Sequence, residues 1–206
     1  MMNELDLLKK DWHKNKTNFQ QVTEHDIYKM IHKKSSSIVK WILIISIVEF
    51  IILNGLSFLI NVDEYEVFLK IHPYLNVLEK LNYFIIIGFI YLFYKNYQTI
   101  STLDSSKKLI NDILKTKRIV NYYIYWNVII STIFGGYGVI DGFTSTFEHV
   151  NSKIIISSTK FYIIFGISMV ILISFILVFY HLLYGLLLRK LKTNYSELKQ
   201  IEELEH

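Results

Sequence analysis

Four stretches of this chain contain almost nothing that prefers water: 38–60, 81–97, 119–141 and 161–188. About 20 apolar residues in a helix cross the hydrocarbon core of a bilayer. Inside that core every backbone N–H and C=O must find its partner within the segment or around a closed barrel. Barrel strands alternate apolar and polar residues, and these runs do not. The pattern therefore predicts an all-α integral membrane bundle of four transmembrane helices. The second stretch is the weakest and needs Lys80 to Tyr97, with its aromatic ends, to reach across. Over the whole chain 52% of residues are hydrophobic. Their concentration in four blocks, more than that fraction, sets the chain apart from a soluble domain.

Basic residues mark which side each connection faces. All but four of the 22 lie in three places: before and at the start of the first stretch, between the second and third, and after the fourth. The exceptions are Lys70, Lys80, Lys153 and Lys160. The positive-inside rule then places both termini in the cytoplasm of a multi-pass inner-membrane protein. The same basic edges attract anionic headgroups, so the bilayer is the expected partner and nucleic acid is not. The first 37 residues are polar and charged, and no cleavable signal sequence is expected. The chain has no cysteine, which excludes disulfides, thiolate catalysis and thiol metal sites.

The expected organisation is a cytoplasmic amphipathic arm over 1–37, a four-span domain over 38–193 and a cytoplasmic tail over 194–203. Residues 204–206 read as a purification-tag remnant. In the arm, Leu5, Leu8 and Trp12 share one helix face. A second helix is expected to start at Thr23, capped reciprocally by Asp26 with Val22 stapled onto Ile27. The arm either rests under the bundle or docks a cytoplasmic protein partner. The connection before the third span carries Leu109, Ile110, Ile113 and Leu114 on one face, and no Gly or Pro separates it from that span. The connections 61–80 and 143–160 are expected on the outer side. No internal repeat points to an inverted-repeat transporter.

One glutamate, Glu49, lies in the middle of IISIVEFIILNG. At 1.5 Å per residue it stands about 13 Å beyond Lys40, Asn127 about 13 Å beyond Arg118, and His181 about 12 Å short of Arg189. The three are expected at one level as an intramembrane polar cluster. Small residues at Ser131, Gly135, Gly138 and Gly142 continue the face of Asn127 as a helix-packing stripe of the kind that lets membrane helices approach closely. That stripe also suits a homo-oligomer. A charged carboxylate at mid-bilayer costs roughly 2.5–3.5 kcal/mol on insertion scales. Glu49 therefore keeps its proton or has a partner, with His181 and Asn127 as donors. Three readings stay open: a clasp that fixes helix register, a proton- or ion-handling site, and a contact to a lipid or small-ligand headgroup.

Catalytic patterns are missing. The chain has no phosphate loop and no GxSxG elbow. It lacks the repeated HxxxH or HxxH pairs a membrane di-iron enzyme needs. His25 and His32 are seven apart and lack a third ligand, and read as solvated arm residues. No metal and no cofactor is expected. The cluster Gly135-Gly136-Tyr137-Gly138 lies inside a span and reads as packing. Tyr122, Tyr123, Tyr125 and Trp126, with Tyr91–Tyr97 and Trp41, read as the aromatic belt of the inner interface.

The run ELDLLKKDW and the later IYKMIHKKSSSIVKWILIISI, within Glu4–Ile47, resemble small multi-span inner-membrane proteins of Bacteroidota. Some of these carry a beta-carotene 15,15'-monooxygenase label. The resemblance implies a bacterial inner-membrane address. The label would imply a seven-bladed propeller holding iron on four histidines, and this chain has neither the strands nor the histidines for it. Two functions are consistent with the residues. The first is a non-catalytic membrane protein acting by interaction or regulation through its cytoplasmic arm. The second is a small proton or ion channel or transporter using Glu49, Asn127 and His181.

Overall fold

A computed structural model describes residues 23–57, 62–102, 106–149 and 158–204. Among them the fold is all-helical, and four helices are long and apolar enough to cross a membrane. The first amphipathic helix of the arm lies outside the described residues.

Helix α1, Glu24–Ser57, starts as its sequence dictates. Thr23 Oγ1 accepts the Asp26 N–H at 3.2 Å, and Asp26 Oδ2 accepts the Thr23 N–H at 3.2 Å. Two otherwise orphaned donors are thereby satisfied. No glycine or proline occurs between Glu24 and Asn54, so arm and span form one helix where the sequence divides them at 37 and 38. Residues 23–37 do not project from the bundle: Ile31 and Ser35 are buried, and His32 Nε2 lies 2.6 Å from the Ile100 carbonyl.

The short α2, Val62–Ile71, meets α3, Pro73–Ser101, at His72. Proline disfavours the helical conformation of the residue before it, and His72 sits at φ −117°, ψ 72°. Pro73 then opens α3, where its missing N–H costs nothing. The helix that carries the second apolar run therefore begins eight residues before position 81 and is long enough to cross a membrane. His72 Nε2 lies 3.0 Å from Asp141 Oδ2. With that nitrogen donating, Nδ1 accepts from Tyr74 Oη at 2.9 Å. The joint is thus tied to the helix that carries Asp141.

Helix α4, Ser106–His149, has 44 residues, a length of about 66 Å or twice the hydrocarbon thickness. The third span and the connection before it are one rod, as the absence of a breaker predicts. Helix α5, Ser158–Tyr180, passes through a π turn, His181–Gly185, into α6, Leu186–Leu204.

Helix α1 packs on α3 and α6, and α4 packs on α3, α5 and α6. The core is densest at the end of the bundle where Thr23 and Leu204 lie, with Ile31, Val39, Ile42, Leu109, Ile113, Leu191 and Leu198 buried. Toward the other end, which carries α2, α5 leans on α4 and exposes Tyr162, Ile167, Val170, Ile171, Phe175 and Val178.

The small-residue stripe of α4 is used in part. A Cβ on Gly135 would stand 2.5 Å from Leu172 Cδ1, and one on Gly136 3.5 Å from Met169 Cε, both on α5. A Cβ on Gly138 or Gly142 would meet nothing within 4 Å. The close approach is made within one chain at 135 and 136, not along all four positions. Gly135→Ala is expected to destabilise by about 1–3 kcal/mol as Leu172 is displaced. Gly138→Ala is expected to be neutral or to stabilise by up to about 1 kcal/mol through helix propensity. Thermal unfolding in detergent separates the two, and equal midpoints would remove the α4–α5 approach.

Candidate functional site

Glu49 faces inward from α1 and is 6% exposed. Tyr180 Oη donates to its Oε1 at 2.6 Å, and Tyr184 Oη to its Oε2 at 2.8 Å. Each carboxylate oxygen thus has its own phenol donor. Tyr180 and Tyr184 are four residues apart, on one face, with rings stacked 6.2 Å apart. Tyr123 of α4 meets both edge-on, at 6.3 and 5.8 Å. Phe89 and Phe93 of α3 close its far side at 5.5 and 5.6 Å. Edge-to-face contacts of this kind add to burial and fix ring orientation. An aromatic cage therefore holds the carboxylate.

The sequence prediction of the cluster is corrected at one member. Asn127 is buried; its Nδ2 donates to the Tyr123 carbonyl at 2.8 Å, and it lines the same cavity as Glu49. His181 is exposed. Its imidazole folds over Gly185, where a Cβ would stand 3.0 Å from Nδ1. The π turn widens the helix there and turns Tyr180 and Tyr184, not His181, toward α1. The belt assignment also needs correcting. Tyr122 and Tyr125 are exposed as a belt requires, but Tyr123 is 1% exposed, and Trp126 Nε1 donates to Asn82 Oδ1 on α3 at 2.8 Å.

A cavity of about 400 Å³ extends from Glu49 toward the α2 end. Ser131 of the predicted stripe lines it, along with Asn54, Asn82 and Asn127. At its far end is a second carboxylate, Glu79 of α3. Glu79 Oε1 accepts from Tyr65 Oη at 3.0 Å and from Tyr83 Oη at 3.2 Å. Burial holds the Tyr65 phenol above its usual range, and the hydrogen bond and charge of Glu79 push it the same way. Each acid is therefore gripped by a pair of tyrosines. Phe50 and Tyr83 are level across α1 and α3, their rings 6.4 Å apart. Counting helix rise from that level separates Glu49 from Glu79 by about 8 Å along the bundle. Among the described residues no lysine, arginine or histidine lines the cavity, and no three metal-type side chains gather anywhere. Such a chamber can hold a cation between carboxylates and aromatic faces.

A family model described as a domain of unknown function (DUF8845) matches residues 25–203. The chain belongs to the DUF8845 family. No curated protein and no solved structure matches it. The DUF8845 region takes in both carboxylates and every helix that lines the cavity.

Proposed function

We propose that this DUF8845 protein is a non-catalytic, multi-pass protein of the bacterial inner membrane that binds a small organic cation in its cavity and conducts it across. Both termini lie in the cytoplasm, as the basic flanks require, and the α2 end faces outward. One observation carries the reading: a chamber within a four-span bundle has a carboxylate at each end, aromatic walls, and no basic group among its lining residues. Buried charge is expensive, and a cation that enters supplies the missing counter-charge. Aromatic faces attract the same ligand. Glu79 receives it near the outer interface, and Glu49 binds it at the inner end of the cavity. The alternative of proton conduction uses the same Glu49 and is an outcome of the same measurement.

The test is flux in liposomes of defined lipid, with ethidium, tetraethylammonium and protons as the probes. Wild type is expected to carry an organic cation. Glu49→Gln is expected to lose at least about tenfold of that flux, equivalent to about 1.4 kcal/mol. Glu79→Gln should weaken uptake less, and His181→Gln should leave it unchanged. Wild-type flux of protons alone would reassign the site to proton conduction. Equal flux in wild type and Glu49→Gln would end the transport reading.

A further inference from the structure

A second cavity, about 690 Å³, lies between α1 and α6 at the end of the bundle where Thr23 and Leu204 lie. Its walls carry Lys33, Lys34 and Ser37 from α1, and Lys190, Thr193 and Glu197 from α6. Three ammonium groups stand against a single carboxylate. Among the described residues none of the three lysines is in an ion pair: the lysine bridges are Lys70–Glu66 and Lys199–Glu203, both elsewhere. The floor is built rather than incidental. Asn194, 7% exposed, lines the groove and donates through Nδ2 to the hydroxyl of fully buried Ser35 at 3.0 Å. That bond fixes the spacing of α1 and α6, and with it the lysines on the two sides.

Depth identifies the ligand. The apolar run of α1 begins at Ile38 and that of α5–α6 ends at Leu188. The groove lies on the polar side of that level and reaches it at Ile38. Above it, exposed apolar side chains continue on both helices: Trp41, 55% exposed, on α1, and Leu186, 64% exposed, on α6. A molecule seated in the groove would meet ammonium and hydroxyl donors at one end and an apolar surface at the other. That is the pattern of a phospholipid with an anionic headgroup, its phosphate among the donors and its acyl chains along α1 and α6. A free phosphate would use only the lower half.

We infer that the α1–α6 groove is a binding site for one anionic phospholipid, held by Lys33, Lys34 and Lys190 with hydroxyl donors from Ser37 and Thr193. The inference needs the membrane placement proposed above and not the cation chamber. Loss of Glu49-dependent flux therefore leaves it standing, and the reverse also holds.

The test uses the full chain in detergent and in nanodiscs. Retained lipid is read by native mass spectrometry, and thermal midpoints are compared with added phosphatidylglycerol, phosphatidylcholine and inorganic phosphate. Wild type is expected to retain phosphatidylglycerol at least tenfold over phosphatidylcholine. The triple variant Lys33→Gln, Lys34→Gln, Lys190→Gln should lose that preference. A control with the same charge change at exposed positions of α4, Lys107→Gln, Lys108→Gln, Lys115→Gln, should keep it. Glu197→Gln should strengthen it, a gain that no misfolded variant would show. Equal loss in triple and control would mean diffuse charge attraction and would overturn the site, as would an unchanged preference in the triple. Inorganic phosphate shifting the midpoint as far as phosphatidylglycerol would overturn the lipid as the ligand.

Discussion

Tyr184→Ala is expected to lower stability by about 3–5 kcal/mol, the range for removing a large buried aromatic ring. The side chain is fully buried, stacked on Tyr180 and edge-on to Tyr123. Its loss leaves a void where α1, α4 and α5 meet and removes the donor from Glu49 Oε2. Tyr184→Phe keeps the ring and loses only the hydroxyl, so about 1–2 kcal/mol is expected. The gap between the two variants measures how much of the cage is packing and how much is the hydrogen bond. A double-mutant cycle with Glu49→Gln isolates the bond itself. Chemical or thermal unfolding in detergent reads all four species. A Tyr184→Ala midpoint within error of wild type would mean that the tyrosine does not seat against α1.

The long helices are legible in the sequence because they depend on local facts. Apolar runs, a Thr-x-x-Asp start at 23, and the lack of any breaker between 106 and 134 each act within one segment. The acid is legible too, since a glutamate among isoleucines has to be accounted for. Its partners are not. Depth counting puts His181 beside Glu49 because helix rise fixes level but says nothing about direction, and a π turn shifts direction at that point. The inward face of the last rod is Tyr180, Tyr184, Leu191, Asn194 and Leu198, at spacings of four, seven, three and four. That stripe competes with the face of His181 once tyrosine is allowed a core role as well as an interfacial one. Tyr123 is misplaced in the belt for the same reason. Glu79 is hidden by Pro73, which reads as a loop residue and leaves the acid in a connection. A proline at the first turn of a helix gives the opposite reading.

Leu198→Asp is expected to cost about 3–5 kcal/mol, the penalty for leaving a buried charge without a partner. The reason lies in where the apolar stretches stop. α4 alone measures about 66 Å, about twice the hydrocarbon thickness, and under the membrane placement proposed above the longer excess lies at the end with Thr23 and Leu204. There Ile31, Ile100, Leu109, Ile113 and Leu198 form a core beneath charged outer faces that carry Lys107, Lys192 and Lys199. In water such a core is held by the hydrophobic effect. Within lipid that force between helices is lost, and packing takes its place. An aspartate at 198 therefore meets a soluble-type core and should loosen α6 from α1 and α4 without preventing insertion. Leu182→Asp, on a side chain 66% exposed, should behave in the opposite way: little effect on packing, but an insertion penalty of about 2.5–3.5 kcal/mol. Limited proteolysis of α6 in membranes reads the first change and membrane-fraction yield the second. If Leu198→Asp left α6 as protected as in wild type, the core beyond the bilayer would not hold the helices together.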